Sequence, residues 1–178
     1  SLILLHHIDV VPADPRYWST DPLSGEIRDG YMYGRGALDT KSLGIIELAA
    51  FIALHRSGVE LGRDVIYMAT ADEEAGGYFG VGWLVEHRPE LFENVGWVIN
   101  EGGGGTEVDG QIQFSVEVTQ KVPYWLRLTV QGTPGHGSRP QESTSVTRLI
   151  AALNRLHEYS FEPRVVPAVD TYFRRLAA

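Results

Sequence analysis

The chain has 178 residues, 43% of them hydrophobic, and a formal net charge of -8. That size suits one medium domain, or one domain with part of another, and no run approaches the ~20 continuous apolar residues that span a membrane. The acidic balance argues against a nucleic-acid partner, whose backbone selects Lys and Arg, and the lack of Cys excludes disulfides and thiolate metal sites.

The start, "SLILLHHIDV", opens inside a strand-like run without Met, and "YFRRLAA" gives no clear stop, so the sequence is expected to be part of a longer chain. "LILLHHIDVVP" reads as a strand ending at Pro12, followed by a long loop rich in Pro, Asp and Ser. Asp29-Gly30 between two short runs predicts a hairpin. "DTKSLGIIELAAFIALHRSG" has apolar residues at helical spacing and a C-cap candidate at Gly58. "RDVIYMATA" predicts a strand, "GVGWLVEHRPEL" a short helix stopped near Pro89, and "NVGWVIN" another strand running into "EGGGG". Strands alternating with helices indicate an α/β layer, a mostly parallel sheet sandwiched by helices. After the glycines, "GQIQFSVEVT" and "YWLRLTVQG" alternate as consecutive strands, and "STSVTRLIAALNRLHEY" is an amphipathic helix. This predicts a second, α+β unit, with residues 1–120 in the first domain and 121–178 in the second.

Ligand sites in parallel sheets lie outside the carboxyl ends of the strands, and here three strands end in metal-ligand chemistry. The first ends in His7-Ile8-Asp9, where His7 can bind a metal while Asp9, two residues on, orients its ring. The second ends in Glu73 and Glu74, the third in Glu101, and Asp39 enters at the start of the long helix. Carboxylates gathered at one edge repel unless divalent cations compensate them, and imidazole with carboxylates suits zinc, with manganese or cobalt as alternatives. Adjacent Glu73 and Glu74 do not both reach one metal easily, so one ligates and the other takes a proton from the attacking water. Each piece taken singly has a plainer reading. Asp39 can be an N-cap, Glu73 and Glu74 first-turn acids of a helix, and Glu101 a solvated loop acid. The joint occurrence at successive strand ends favours the metal. His6 is expected to face away from His7 and pack. His136 lies in "GTPGHGSRP", a loop after a strand that suits a functional side chain.

In order, "HIDVVP", "YGRGALDTKS", "ADEEAGG", "INEGG" and "GTPGHGSRP" resemble the family of acetylornithine deacetylase, succinyl-diaminopimelate desuccinylase, aminoacylase and the glutamate carboxypeptidases. The resemblance covers the chain almost end to end. It implies a catalytic domain holding two divalent metal ions, Zn2+ first with Co2+ or Mn2+ as alternatives, interrupted by a smaller lid or dimerisation domain that begins in this chain. It implies a hydrolase, a metallopeptidase or N-acyl-amino-acid amidohydrolase, that cleaves an amide bond of a small N-acyl amino acid or short peptide. Carried over, His7 and Glu101 bind one metal, Glu74 binds the other and Asp39 bridges. Asp9 supports His7, Glu73 is the general base, and His136 stabilises the oxyanion, in many members from the opposite subunit of a dimer. The family's last metal-binding His lies beyond residue 178, so the 178 residues by themselves are expected to be a poor catalyst. Gln120-Lys121-Val122 stands where many members have Glu-Lys-Gly before the lid. The expected setting is cytoplasmic, with no nucleic-acid or membrane partner and a homodimer through the lid.

Two other classes compete. A nucleotide-binding reading of "GRGALDTKS" fails because a P-loop needs Gly directly before the Lys, where this chain has Thr40. A non-catalytic binding module on the same fold would have no need to keep both Glu73 and Glu74.

Overall fold

Strand β1 (Leu2–His7) is the centre of the molecule's parallel sheet, and its run of apolar residues is what a strand covered on both faces requires. In the computed structural model, which describes residues 1–177, β4 (Val65–Thr70) and β5 (Trp97–Ile99) flank it, both parallel to it. Leu2 pairs with Val65 and His7 with Thr70 on one side, and Leu2 with Trp97 on the other. The order β4-β1-β5 has a consequence for function. The chain leaves β1 for one neighbour and returns to the opposite one, so the carboxyl end of β1 is a topological switch point, where open α/β sheets bind ligands.

Between β1 and β4 run a short hairpin and a helix. Strands β2 (Glu26–Arg28) and β3 (Tyr31–Tyr33) are antiparallel. Asp29 and Gly30 join them with φ of 52° and 82°, the two positive values that a two-residue turn matched to strand twist demands. Helix α1 (Ser42–Ser57) stops at Gly58, whose φ of 65° is the left-handed cap expected there. It follows an irregular turn over Ala37–Lys41 and packs on β1 and β4. Helix α2 (Val81–His87) joins β4 to β5. Ile3, Leu4 and Met68 form the apolar core, and His6, His7, Thr40, Glu47 and Thr70 are buried polar residues beside it.

Beyond β5, β6 (Gly104–Val108) begins inside the glycine run and forms an antiparallel hairpin with β7 (Gln111–Ser115) that turns at Asp109-Gly110. One expectation needs correction. "YWLRLTVQG" forms no strand. Alternation says which side chains could share a face, but a strand exists only where a neighbour accepts its ladder, and these residues have none. The chain divides into two compact units, Ser1–Ser115 and the segment from Val116 onward. The described residues of the second unit hold two helices, α3 (Ser145–Glu158) and α4 (Pro167–Leu176), and no strand. A reciprocal capping box starts α3, with Thr144 and Thr147 each bonding the other's backbone N–H. No helix among the described residues is long and apolar enough to cross a membrane.

Candidate metal centre

His7 is the last residue of β1 and is buried, so its ring can act only on what stands at the sheet's edge. Its Nδ1–H donates to the Asp9 backbone carbonyl at 3.0 Å, and Asp9 Oδ1 lies 3.5 Å from the same nitrogen. Holding Nδ1 this way leaves Nε2 as the atom presented to the edge, the orientation a metal-binding imidazole needs. Nε2 lies 3.1 Å from Asp39 Oδ1, 3.7 Å from Glu101 Oε2 and 3.8 Å from Glu73 Oε2.

Asp9 has a second task. Its carboxylate accepts the backbone N–H of Glu73 and of Glu74, each at 3.2 Å, and so ties the loop after β4 to the end of β1. Asp72 shapes the same loop: its φ is 69°, its carbonyl accepts from Gly77 and its carboxylate from Phe79. The chain thus makes a tight turn after β4, and α2 begins only at Val81. Glu73 and Glu74 are loop residues and not first-turn acids of a helix. Asp39 is not an N-cap either. Lys41 occupies the cap position of α1, and the Asp39 carboxylate turns to His7.

Ligand atoms of His7, Glu73 and Glu101 lie within 4.8 Å of one another, and so do those of His7, Asp39 and Glu74. The adjacent acids therefore enter different clusters, Glu73 with Glu101 and Glu74 with Asp39. Burial lowers the His7 pKa, but the Asp9 carbonyl and the charges of Glu101, Glu73 and Asp9 outweigh it, and the net direction is upward. Burial raises the Glu73 carboxyl; His7 opposes this while Glu101, Glu74 and Asp9 add to it, and the net is again upward. One imidazole facing this many carboxylates is a donor set deficient in positive charge. Oxygen and imidazole nitrogen donors without thiolates fit divalent cations such as zinc, cobalt or manganese.

The sequence profile of peptidase family M20/M25/M40 matches residues 3–172. The chain belongs to that family. Among its M20/M25/M40 relatives, N-fatty-acyl-amino acid synthase/hydrolase PM20D1 of Xenopus tropicalis is 39% identical over 164 residues, which cover 88% of this chain and 31% of that protein. Aminoacylase-1 of Sus scrofa is 38% identical over 159 residues, covering 88% of this chain and 38% of that protein. The crystal structure of human carnosine dipeptidase 1 aligns at a TM-score of 0.44 and 31% identity, over 56% of this chain and 21% of that one. The chain spans about a third of the length of the curated relatives it matches.

His136 belongs to the second unit and is exposed there. Its Nδ1 lies 2.8 Å from Ser138 Oγ, and its carbonyl accepts from the Arg139 N–H. On the opposite face of β1 His6 packs, as expected, and only its partners there were not read from the sequence. His6 is as buried as His7, each 3% exposed, and its Nδ1 meets Glu47 Oε2 at 3.0 Å. Tyr67 Oη lies 3.2 Å from His6 Nε2 and 3.2 Å from the Gly44 carbonyl. That carbonyl can only accept, so the single phenolic proton goes to it, and His6 Nε2–H donates to the Tyr67 oxygen. His6 Nδ1 and Glu47 then share one further proton. Burial raises the Glu47 carboxyl against the hydrogen bond and charge of His6. The signal in the sequence is the doubled histidine together with Gly44 and Glu47, one turn apart on α1.

Proposed function

We propose that the protein to which this chain belongs is a metal-dependent hydrolase that cleaves the amide bond of a small N-acyl amino acid or short peptide. The observation that carries this reading is the convergence of one imidazole and several carboxylates at the switch point of the sheet, in a chain of family M20/M25/M40. Residues 1–120 are proposed as part of the catalytic domain, and residues 121–178 as the first part of a lid that also serves dimerisation. The setting is proposed as cytoplasmic.

In this reading His7 and Glu101 hold one cation, Glu74 holds the other, and Asp39 lies between them. Two divalent ions held by these residues, zinc first, would supply Lewis acidity for amide hydrolysis. Asp9 keeps the His7 ring turned and the Glu73–Glu74 loop in place. Glu73 takes the proton of the attacking water on its carboxylate and passes it to the leaving nitrogen, which otherwise departs poorly as an anion. Burial and the neighbouring acids push its pKa upward, the direction that makes a carboxylate a better proton acceptor. His136 is proposed as a donor to the carbonyl oxygen as it becomes an oxyanion.

The relatives' names support the substrate class, an N-fatty-acyl-amino acid in one and an aminoacylase in the other. The test is to titrate the metal-free full-length protein with zinc, then assay N-acetyl and N-fatty-acyl amino acids beside dipeptides. Uptake of about two ions with amide hydrolysis is expected. Zinc uptake without hydrolysis of any of the three would leave a binding module, and no uptake would remove the metal centre.

A further inference from the structure

The face of β1 opposite the acids carries directional bonds beside its apolar packing, in which Leu4 is buried and Phe51 of α1 meets the Tyr67 ring at 6.1 Å. Helix α1 presents Gly44 and Glu47 as its buried residues, so where the helix meets His6 it offers a bare backbone and a carboxylate. Apolar contact has no preferred direction, so directional bonds are what settle where a helix sits along a strand. Three such bonds are present: His6 to Glu47 at 3.0 Å, His6 to Tyr67 at 3.2 Å, and Tyr67 to the Gly44 carbonyl at 3.2 Å. They join β1, β4 and the first two turns of α1.

Those two turns continue directly into the segment that carries Asp39. Ser42 Oγ donates to the Leu38 carbonyl at 3.0 Å, and the Lys41 N–H to the Gly36 carbonyl at 3.0 Å. A slide or rotation of α1 therefore carries Asp39 with it, while His7 stays on the strand next to His6. We infer that His6, Glu47 and Tyr67 are positioning residues: they lock α1 onto β1 and β4 and so hold the Asp39 carboxylate against His7 Nε2. The inference rests on the proposed metal centre. Glu47 Oε1 is buried without a hydrogen-bond partner among the described residues, so the clamp also carries a cost that packing alone would avoid.

The experiment is zinc affinity of the full-length protein by competition with a chromogenic chelator, with the visible spectrum of the cobalt-substituted form and circular dichroism as a check of folding. Residues that orient a metal ligand directly change affinity by about 10- to 100-fold. Acting one step further away, Glu47→Ala is expected to weaken zinc binding roughly tenfold and alter the cobalt spectrum. Glu47→Gln, which can still bond His6, should recover most of that affinity. Tyr67→Phe keeps the ring and loses the hydroxyl, and should weaken binding by about threefold even if Glu47→Ala does not fold. Folded Tyr67→Phe with the parent's zinc affinity and cobalt spectrum would overturn the clamp while leaving the metal centre intact. A parent protein that takes up no zinc would overturn both.

Discussion

His6 and His7 are consecutive on one strand and equally buried, yet their two surroundings differ in charge balance. His6 meets one carboxylate and one phenol, the phenol donates on to the Gly44 carbonyl, and a single shared proton lets that set close on itself. His7 faces Asp39, Glu73 and Glu101 from one nitrogen and Asp9 from the other. One imidazole carries at most one positive charge, against four carboxyl groups. Burial therefore does not separate a structural histidine from a candidate metal ligand here. The excess of uncompensated carboxylates on one side does, and the excess is what divalent cations would cancel.

The comparison breaks most readily at the acids. In the full-length protein Glu73→Gln should lower kcat by about a hundred- to ten-thousand-fold, the usual share of a general acid–base group, with metal content nearly unchanged. Gln keeps the shape and cannot carry the proton. Glu74→Gln should instead lower metal occupancy together with rate. Elemental analysis beside kcat decides between the two. Metal lost from Glu73→Gln and kept in Glu74→Gln would exchange the roles, an outcome the cluster of His7, Glu73 and Glu101 makes a real alternative.

Asp9 sets the next level. It is bonded to both sides of the site, through its own carbonyl to His7 Nδ1 and through its carboxylate to the N–H groups of Glu73 and Glu74. Asp9→Ala keeps the carbonyl and removes the carboxylate, so the His7 bond survives and the loop is released. Zinc affinity is expected to fall by about 10- to 100-fold, read by chelator competition. Unchanged affinity would show that the loop after β4 holds its own shape through Asp72.

Much of this was legible in the sequence because it depends on local chemistry. Strands β1 and β4, the Asp29-Gly30 turn and the Gly58 cap follow from apolar runs and positive-φ residues, and the acids at the strand ends were readable as a set. The rest depends on partners that no local pattern names. A glycine-rich run is a poor strand by composition. β6 exists because β7 pairs with it across Asp109-Gly110. "YWLRLTVQG" has the alternation of a strand and finds no ladder. Nothing in the local sequence pattern marks Glu47 as a buried acid. It is buried because Gly44, one turn earlier, lets the His6 ring approach the helix.

That approach gives the smallest and most local test of the contrast. A Cβ added at Gly44 would stand 2.5 Å from His6 Cδ2 and 2.6 Å from His6 Nε2, far inside van der Waals contact. The ring has little freedom to yield, because moving it breaks its bonds to Glu47 and Tyr67. In an open helix Gly→Ala would stabilise by ~1 kcal/mol through backbone entropy. Overpacking a tight contact costs ~1–3 kcal/mol. The net expected for Gly44→Ala is therefore a loss of ~1 kcal/mol, read as a lower urea midpoint for the metal-free full-length protein, with the slope unchanged. A higher midpoint would mean that the helix had simply gained alanine. The close contact between α1 and His6 would then be loose enough to give way, and the difference between the two faces of β1 would rest on the acids alone.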